Sequence, residues 1–281
     1  MATIGLLHPG EMGASVGASG RVDGHRVVWV SEGRGPETRQ RAAAAGLEDA
    51  GTLAALVATS DVVLSVCPPH AALDLAGAVA AERFRGVYVD GNAVAPGTAR
   101  AIARIVQAGG ATYVDGGIIG PPPDKPGTTR LYLSGPDAER VRALFKAGPL
   151  EAIVFHGDLT AASAIKMSYA AWTKGSQALL MAVRALATAE GVDDALLAEW
   201  NRSQPELAKR SENAAKGTAR KAWRWVGEMD EIAATFQGAG LPDGFHLGAG
   251  EVYRRMARYK NAPTPPSMED VAKTLLDASG A

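Results

Sequence analysis

The chain has 281 residues, 47% of them hydrophobic, which suits one large domain or two ordinary ones with a substantial core. Its 29 basic and 30 acidic residues leave a net charge of −1, so charge gives no reason to expect a nucleic acid or an anionic membrane as partner. A single cysteine excludes an internal disulfide. Since the N-terminus lacks a basic segment followed by an apolar one, and no apolar run reaches about 18 residues, we expect a soluble cytoplasmic protein.

The first seventeen residues, MATIGLLHPGEMGASVG, follow the order strand, glycine-rich turn, helix. This order is typical of a dinucleotide-binding fold, in which the helix N-terminus offers N–H groups and partial positive charge to a pyrophosphate. A histidine stands where the usual G-x-G-x-x-G pattern begins. An ordinary strand–turn–helix of another α/β fold is the alternative. The residues expected to bind the cofactor here are His8, Pro9, Gly10, Glu11, Met12 and Gly13.

From the N-terminus to about residue 157, short β-branched runs alternate with Ala-rich helical stretches. Strands are predicted at 3–7, 26–30, 61–66, 87–90 and 112–114, and two later runs at 130–133 and 153–155 would extend the sheet. The helical spacers include 37–45, 53–58 and 71–81. Alternation of this kind favours parallel βαβ units. We therefore predict a doubly wound Rossmann-type sheet in a first domain, residues 1–157.

The end of the second predicted strand should contact the adenosine ribose of the cofactor. An acidic residue there would favour NAD, whereas a small polar residue with a nearby arginine would accommodate the 2′-phosphate of NADP. Ser31 with Arg34 favours NADP, with NAD still possible. Glu32 is the alternative ribose partner, unless it points to solvent.

The later strands end in turn residues, which a doubly wound sheet would place beside the cofactor. Cys67 and Pro68 follow the third of these strands and Asn92 and Ala93 the fourth, and all four are predicted cofactor contacts. Cys67 is expected to be packed rather than nucleophilic, because no charged neighbour in sequence would lower its pKa. After the fifth strand, residues 115–123 are rich in glycine and proline and predict a rigid loop.

From about residue 159 onward no strand is predicted. One long helix is expected over 159–190 with Thr160 as its N-cap, followed by helices at 194–202, 206–215, 220–239 and 245–258. Ser267 and Asp270 would cap a final helix. This segment predicts an all-α second domain, residues 158–281, joined to the first by the long helix. The five histidines show no spacing typical of metal ligands, so no metal is expected.

Four stretches carry a family resemblance in the family's order: Met12-Gly13, Asp90-Gly91-Asn92, residues 115–120, and Lys166. On these the chain resembles the β-hydroxyacid dehydrogenase superfamily, which includes the 6-phosphogluconate dehydrogenases and the imine reductases. Residues 164–170, 173–175 and 224–229 resemble one branch of it, oxidoreductases with a distinctive phosphogluconate-dehydrogenase-like C-terminal domain.

The resemblance implies that Lys166 is the catalytic acid/base, because hydride delivery to a carbonyl creates an oxyanion that needs a proton donor. The family's asparagine one helical turn later is Ala170 here, and Tyr169 and Lys174 are the candidates to replace its hydrogen bonding. A later lysine of the family falls near Gly227.

The family's substrate-binding loop also departs from its pattern. Its serine is Ile119 here, which cannot bind a carboxylate, and its second glycine is Pro121. We therefore expect an apolar pocket, with Trp172 and, from a partner subunit, Trp223 and Trp225 as further candidates. The predicted substrate-binding residues of this loop are Gly117, Ile118, Ile119 and Gly120.

The resulting prediction is an NADPH-dependent dehydrogenase or reductase acting on a carbonyl/alcohol couple, with a small-molecule substrate. The resemblance also implies a homodimer formed through the helical domains. An imine reductase is the runner-up, although those enzymes usually place Asp or Tyr where this chain has Lys166. A cofactor-binding protein that has lost catalysis is the third possibility.

Overall fold

A computed structural model describes residues 1–277 of the chain. The chain divides into two compact units, Met1–Met167 and Ser168–Ala281. This division lies ten residues after the predicted domain boundary, inside the long helix that begins at Ala161. The physical reason is local: the first turn of that helix packs on the sheet of the first unit, where a Cβ at Gly117 would clash with the carbonyl oxygen of Ala162.

The first unit contains one eight-stranded sheet. Its strands are β1 (Thr3–Leu6), β2 (Arg26–Trp29), β3 (Glu48–Asp49), β4 (Val62–Ser65), β5 (Val87–Asp90), β6 (Thr112–Ile119), β7 (Thr129–Ser134) and β8 (Leu150–Val154). The strand order is β3-β2-β1-β4-β5-β6-β7-β8. All neighbours pair in parallel except β6 and β7. The order reverses direction at β1, which places a crevice at the carboxyl ends of β1 and β4.

Six helices connect these strands: α1 (Glu11–Val22), α2 (Pro36–Ala44), α3 (Leu53–Thr59), α4 (Ala72–Ala81), α5 (Pro96–Ala108) and α6 (Ala138–Arg142). Consecutive residues of a strand point to opposite faces of the sheet. Because helices cover both faces, apolar side chains are buried on each of them. Ile4 and Leu6 lie in one core cluster, whereas Leu7 lies in the other. The predicted Rossmann-type sheet is therefore confirmed, and it carries apolar residues on both sides.

The sheet differs from the prediction mainly at β6. The predicted strand 112–114 continues in the structure to Ile119, so the segment expected to be a loop is largely strand. Residues from Asp115 to Ile119 pair antiparallel with β7, which satisfies their backbone hydrogen bonds. The loop begins only at Gly120, whose φ of +131° requires glycine. The two-residue strand β3 was also missed, since so short a segment carries no alternation.

The described part of the second unit consists of helices and connecting loops, without a strand. Its elements are α7 (Ala161–Ala189), which begins in the first unit, α8 (Asp193–Ser203), α9 (Glu206–Thr218), α10 (Ala222–Gly238), α11 (Gly244–Met256) and α12 (Met268–Leu276). The predicted cap of the last helix is confirmed as a reciprocal capping box between Ser267 and Asp270. Among residues 1–277 no helix combines the length and apolar character needed to cross a bilayer.

Candidate functional site

The first strand leads into the glycine turn. The Gly10 N–H donates to the carbonyl oxygen of His8 at 2.9 Å, and α1 begins at the next residue. A Cβ at position 13 would clash with that same carbonyl, so only glycine lets the helix start this close to the turn. Burial and the positive charges of Arg34 and Arg41 lower the pKa of His8. The imidazole is therefore neutral near pH 7.

Ser31 and Arg34 lie together after β2. The Arg34 N–H donates to the Ser31 carbonyl at 3.1 Å, closing a turn in which Gly33 has a φ of +70°. The guanidinium reaches back to β1, with Nη2 donating to the Leu7 carbonyl at 3.3 Å. Ser31 is buried, whereas the Glu32 side chain is exposed. The turn thus brings a small polar residue and a cation to the carboxyl ends of β1 and β2.

Two arginines of α2, which no local sequence pattern predicts, contact this turn and the glycine turn. Arg39 Nη2 donates to the Ser31 carbonyl at 2.9 Å, and Arg41 Nη1 donates to the Pro9 carbonyl at 3.2 Å. Both lie within two turns of the start of a helix that follows β2 directly. This position in the sequence could have identified them, because the first turns of a helix that follows a parallel strand lie near the carboxyl ends of the strands.

The donor set at these strand ends fits an anionic dinucleotide. The N-cap residue of α1 is Gly10, which has no side chain with which to cap the helix, so that end of the helix can receive a pyrophosphate. The Nε of Arg34 is buried and has no hydrogen-bond partner in the described structure. A buried guanidinium donor without a partner is costly unless an acceptor completes it, and a phosphate oxygen would do so.

The ends of β4 and β5 are tied together by Asn92. Its Oδ1 accepts from the Cys67 N–H at 2.6 Å, and its Nδ2 donates to the Ser65 hydroxyl at 3.0 Å. Both functional groups of this buried side chain are therefore committed to the protein. Burial raises the pKa of the Cys67 thiol to about 12, which agrees with the expectation that it is not a nucleophile. Asn92 thus fixes the shape of the turn that contains Cys67 and Pro68.

The start of α7 is capped from the middle of β6, at the residue that pairs with the end of β5. The Ser163 N–H and hydroxyl each donate to the Asp115 carboxylate at 2.6 Å. Thr160 stands at the predicted cap position, but its hydroxyl donates to Asp158 at 2.9 Å and accepts from Arg100 at 3.0 Å. The cap of this helix is therefore supplied by a strand residue 48 positions earlier.

Lys166 follows the capped residue by one helical turn and lies against β6. A Cβ built on Gly117 would lie 3.1 Å from the Cβ of Lys166, so strand and helix are in van der Waals contact here. Gly91 and Gly116 allow similarly close packing at the neighbouring strand ends. The structure thus places the first turns of α7, with Lys166, against the C-terminal half of β6.

Asp115 belongs to a buried acidic pair. The Tyr113 hydroxyl lies 3.2 Å from an Asp115 carboxylate oxygen and 3.4 Å from one of Asp90. Burial, reinforced by the charge of Asp115, raises the pKa of Asp90 from 3.8 to about 7. Burial likewise raises the pKa of Asp115, to about 6, against the hydrogen bonds from Ser163 and Tyr113. The pair therefore titrates near neutral pH rather than in acid.

The predicted substrate-binding residues lie at the end of β6. Gly117 contacts the first turn of α7, and Gly120 begins the loop that follows. Ile118 and Ile119 are both buried, and Ile118 belongs to one of the two core clusters of the sheet. The side chain of Ile118 therefore supports the sheet. Gly117 is buried as well, and Gly120 is the exposed position of the four.

Two further candidates, Tyr169 and Lys174, lie in the second unit. The Tyr169 side chain is about half exposed. Lys174 is only 9% exposed, and its Nζ lies 2.8 Å from a carboxylate oxygen of Glu228 and 5.2 Å from the ring centre of Trp225. Two of the three segments by which the sequence resembles one branch of the superfamily, 173–175 and 224–229, are thus joined by an ion pair. The ammonium of Lys174 is committed to that contact.

The two units match the models of two different protein families. The model of the NAD binding domain of 6-phosphogluconate dehydrogenase matches residues 1–147. A domain of unknown function, DUF1932, matches residues 187–256. The first match confirms the resemblance that the sequence motifs predicted, and it covers the strand ends described above.

Individual proteins are also similar to this chain. An uncharacterised 28.5 kDa protein of Methanothermus fervidus is 31% identical over 195 residues, which is 69% of this chain and 74% of that protein. The 3-hydroxyisobutyrate dehydrogenase of Mycobacterium tuberculosis has a TM-score of 0.72 at 18% identity, covering 98% of this chain and 99% of the other. An imine reductase of Streptomyces aurantiacus has a TM-score of 0.54 at 20% identity, covering 96% and 98%. These solved structures share the fold.

The raised pKa of Asp90 predicts a pH-dependent stability. Because the folded state raises this pKa from 3.8 to about 7, the contribution of Asp90 to stability is most favourable in acid and declines as pH rises through that range. Asp90→Asn keeps the acceptor for the Asn92 N–H and removes the charge. We expect its thermal midpoint to fall less than that of the wild type between about pH 5 and about pH 8. The exposed Asp124→Asn is the matched control, and equal pH slopes in all three proteins would contradict the assignment.

Proposed function

We propose that this chain, which belongs to the family of the NAD binding domain of 6-phosphogluconate dehydrogenase, is an NADP(H)-dependent oxidoreductase acting on a carbonyl/alcohol couple. The observation that carries the proposal is the position of Lys166, packed against Gly117 at the carboxyl end of β6. This is the edge of a doubly wound sheet at which ligands bind. A substrate held there would have an ammonium group beside it.

The role proposed for Lys166 is to give a proton to the substrate oxygen and to take it back in the reverse direction. A bound nicotinamide supplies the hydride, which adds to the carbonyl carbon, and the oxygen then needs one proton to become a hydroxyl. The start of α7 is fixed by two hydrogen bonds to Asp115, so Lys166 is carried on a rigid turn. A proton donor held in a fixed position lowers the activation free energy of carbonyl reduction.

An imine reductase is the second candidate. Its support is the apolar Ile119 where dehydrogenases of the superfamily have a serine, together with the fold shared with the imine reductase of Streptomyces aurantiacus. The lysine at position 166 favours the carbonyl reaction. Its ammonium is suited to stabilise and protonate the alkoxide formed by carbonyl reduction.

Replacing Lys166 tests its role directly. We expect Lys166→Ala to lower kcat on an active aldehyde or ketone at least about 100-fold, which is the usual contribution of a general acid. The affinity for NADPH should change less than about twofold, since no role in cofactor binding is proposed for this side chain. Lys146→Ala, an exposed lysine of the same unit, is the control. Activity is measured by NADPH absorbance on a panel of aldehydes, ketones and cyclic imines.

The panel also separates the alternatives. Turnover of imines alone would move the assignment to imine reduction, and full activity of Lys166→Ala would refute the role of the lysine. NADPH binding by the wild type without turnover of any compound would favour a protein that binds the cofactor without catalysis.

NADP rather than NAD is proposed as the cofactor because of the charges beside Ser31. Arg34 and Arg39 both contact the turn that contains this residue. The one acidic side chain of the turn, Glu32, is exposed. A 2′-phosphate would supply the acceptor that Arg34 Nε lacks.

Replacing these arginines should reduce the preference for NADPH over NADH. Arg34→Gln and Arg39→Gln are each expected to raise the KM for NADPH about tenfold or more, the usual effect of losing a hydrogen bond to a charged group. The KM for NADH should stay nearly constant. Arg26→Gln, an exposed residue of β2 that pairs with Glu48, is the control. An equal loss with both cofactors would argue against a 2′-phosphate contact.

A homodimer is proposed on the basis of α7. Leu179 and Leu186, seven residues apart on this helix, are 48% and 61% exposed. Large apolar side chains repeated at this spacing are typical of a helix–helix interface.

Sedimentation velocity tests the assembly. The account predicts a particle of twice the 29.0 kDa chain mass. The double variant Leu179→Lys/Leu186→Lys should sediment as a monomer, and Leu73→Lys, an exposed leucine of the first unit, should remain dimeric. A wild-type monomer would contradict the proposal.

A further inference from the structure

We propose that the helical unit contains a binding site for a small anionic molecule with a flat, apolar body. The site is a groove of about 420 Å³ formed by α7, α9 and α10. This volume is in the range of small-molecule pockets. The proposal concerns the second unit alone, and it goes beyond the oxidoreductase function because it requires neither cofactor nor turnover.

The charge of the groove selects for anions. Of the residues that the structure describes, Arg210 and Lys221 line it and no aspartate or glutamate does. Within residues 1–277 neither cation forms an ion pair or a side-chain hydrogen bond, although acidic residues are frequent elsewhere in this unit. Two uncompensated positive charges on a concave surface raise the local concentration of anions. Among the described residues of the lining there is no carboxylate to pair with a cationic ligand.

Spacing along α9 places these charges on one face. Arg210, Asn213 and Gly217 follow one another at three and four residues, and Lys221 comes one turn later in a short 3₁₀ segment. Across the groove, α7 presents the side chains of Ser176 and Gln177. Groups of this kind can orient a carboxylate or phosphate once the arginine has bound it.

A fixed aromatic wall completes the groove. The ring of Trp225 meets that of Tyr253 edge-on, with centres 5.2 Å apart, and the Tyr253 hydroxyl donates to the Lys174 carbonyl at 2.7 Å. The ammonium of Lys174 also lies 5.2 Å from the Trp225 ring. Glu228 neutralises that ammonium, so the wall is held in place without adding charge to the groove. A rigid indole face suits a flat apolar ligand.

Ligand binding to the full-length protein tests the site. Benzoate and phenyl phosphate are the probes, benzamide is the neutral control, and binding is followed by calorimetry and by tryptophan fluorescence, since Trp172 and Trp225 line the groove. We expect at least one anion to bind and benzamide to bind at least about tenfold more weakly. The stronger of the two anions identifies the headgroup.

Charge variants assign the binding to the groove. Arg210→Gln and Lys221→Gln should each raise the dissociation constant about tenfold, whereas Lys209→Gln and Lys216→Gln, neighbouring lysines outside the groove, should leave it unchanged. Equal binding of benzamide, no anion binding at millimolar concentration, or unchanged affinity in both groove variants would overturn the proposal.

A steric variant guards against effects of misfolding. Nothing lies within 4 Å of a Cβ built on Gly217, so Gly217→Leu can fill the groove without a backbone clash. Because leucine favours a helix over glycine, the variant should be as stable as the wild type while losing anion binding. Gly217→Ala adds one methyl group and should still bind. Anion binding retained by Gly217→Leu would refute the location. NADPH turnover is assayed separately, so failure here leaves the oxidoreductase proposal untouched.

Discussion

The pair of hydrogen bonds from Ser163 to Asp115 is the constraint on which the candidate site depends. A carboxylate in the middle of β6, level with the end of β5, accepts the N–H and the hydroxyl of the third residue of α7, both at 2.6 Å. A negative charge at a helix N-terminus is favoured both by the unpaired amides and by the helix dipole. Because this carboxylate belongs to the sheet rather than to the helix, it fixes where the helix begins. Lys166 is then placed by the helical repeat alone.

The hydrogen bonds from Ser163 to Asp115 also explain why glycine is needed at the point of contact between β6 and α7. A helix capped by the sheet must approach it closely, and Gly117 is the point where strand and helix touch. The carboxylate that does this is deeply buried and shares the Tyr113 hydroxyl with Asp90. Burial raises the pKa of both acids, although the hydrogen bond from Tyr113 lowers it. Burying a charge in this way costs stability unless hydrogen bonds offset it. In the first unit, the two buried acids lie at the edge of the sheet that also contains the candidate site.

Most of the fold could be predicted from the sequence because the strands are short β-branched runs and the helices have clear periodicity. The Gly10–Gly13 turn and the Ser267–Asp270 cap are local patterns, and the structure contains both. Residues 115–119 were missed as strand because antiparallel pairing with β7 outweighs their glycine content. Propensity is a weak guide where pairing between distant residues decides the structure.

The candidate site was less predictable for the same reason. Ser31 and Arg34 are neighbours in sequence and could be found, but Arg39 joins them only after α2 folds back on β2. Likewise, 48 residues separate Asp115 from the helix it caps, and 54 separate Lys174 from its partner Glu228, so no local pattern reveals either contact. Lys166 was found only through resemblance to a family.

The most direct test of the account is a crystal structure of the protein with NADP⁺ bound. The account predicts the pyrophosphate at the N-terminus of α1, the 2′-phosphate in contact with Arg34, and the nicotinamide at the end of β6 beside Lys166. A cofactor bound in the reverse direction, or a nicotinamide out of reach of the Lys166 side chain, would contradict it.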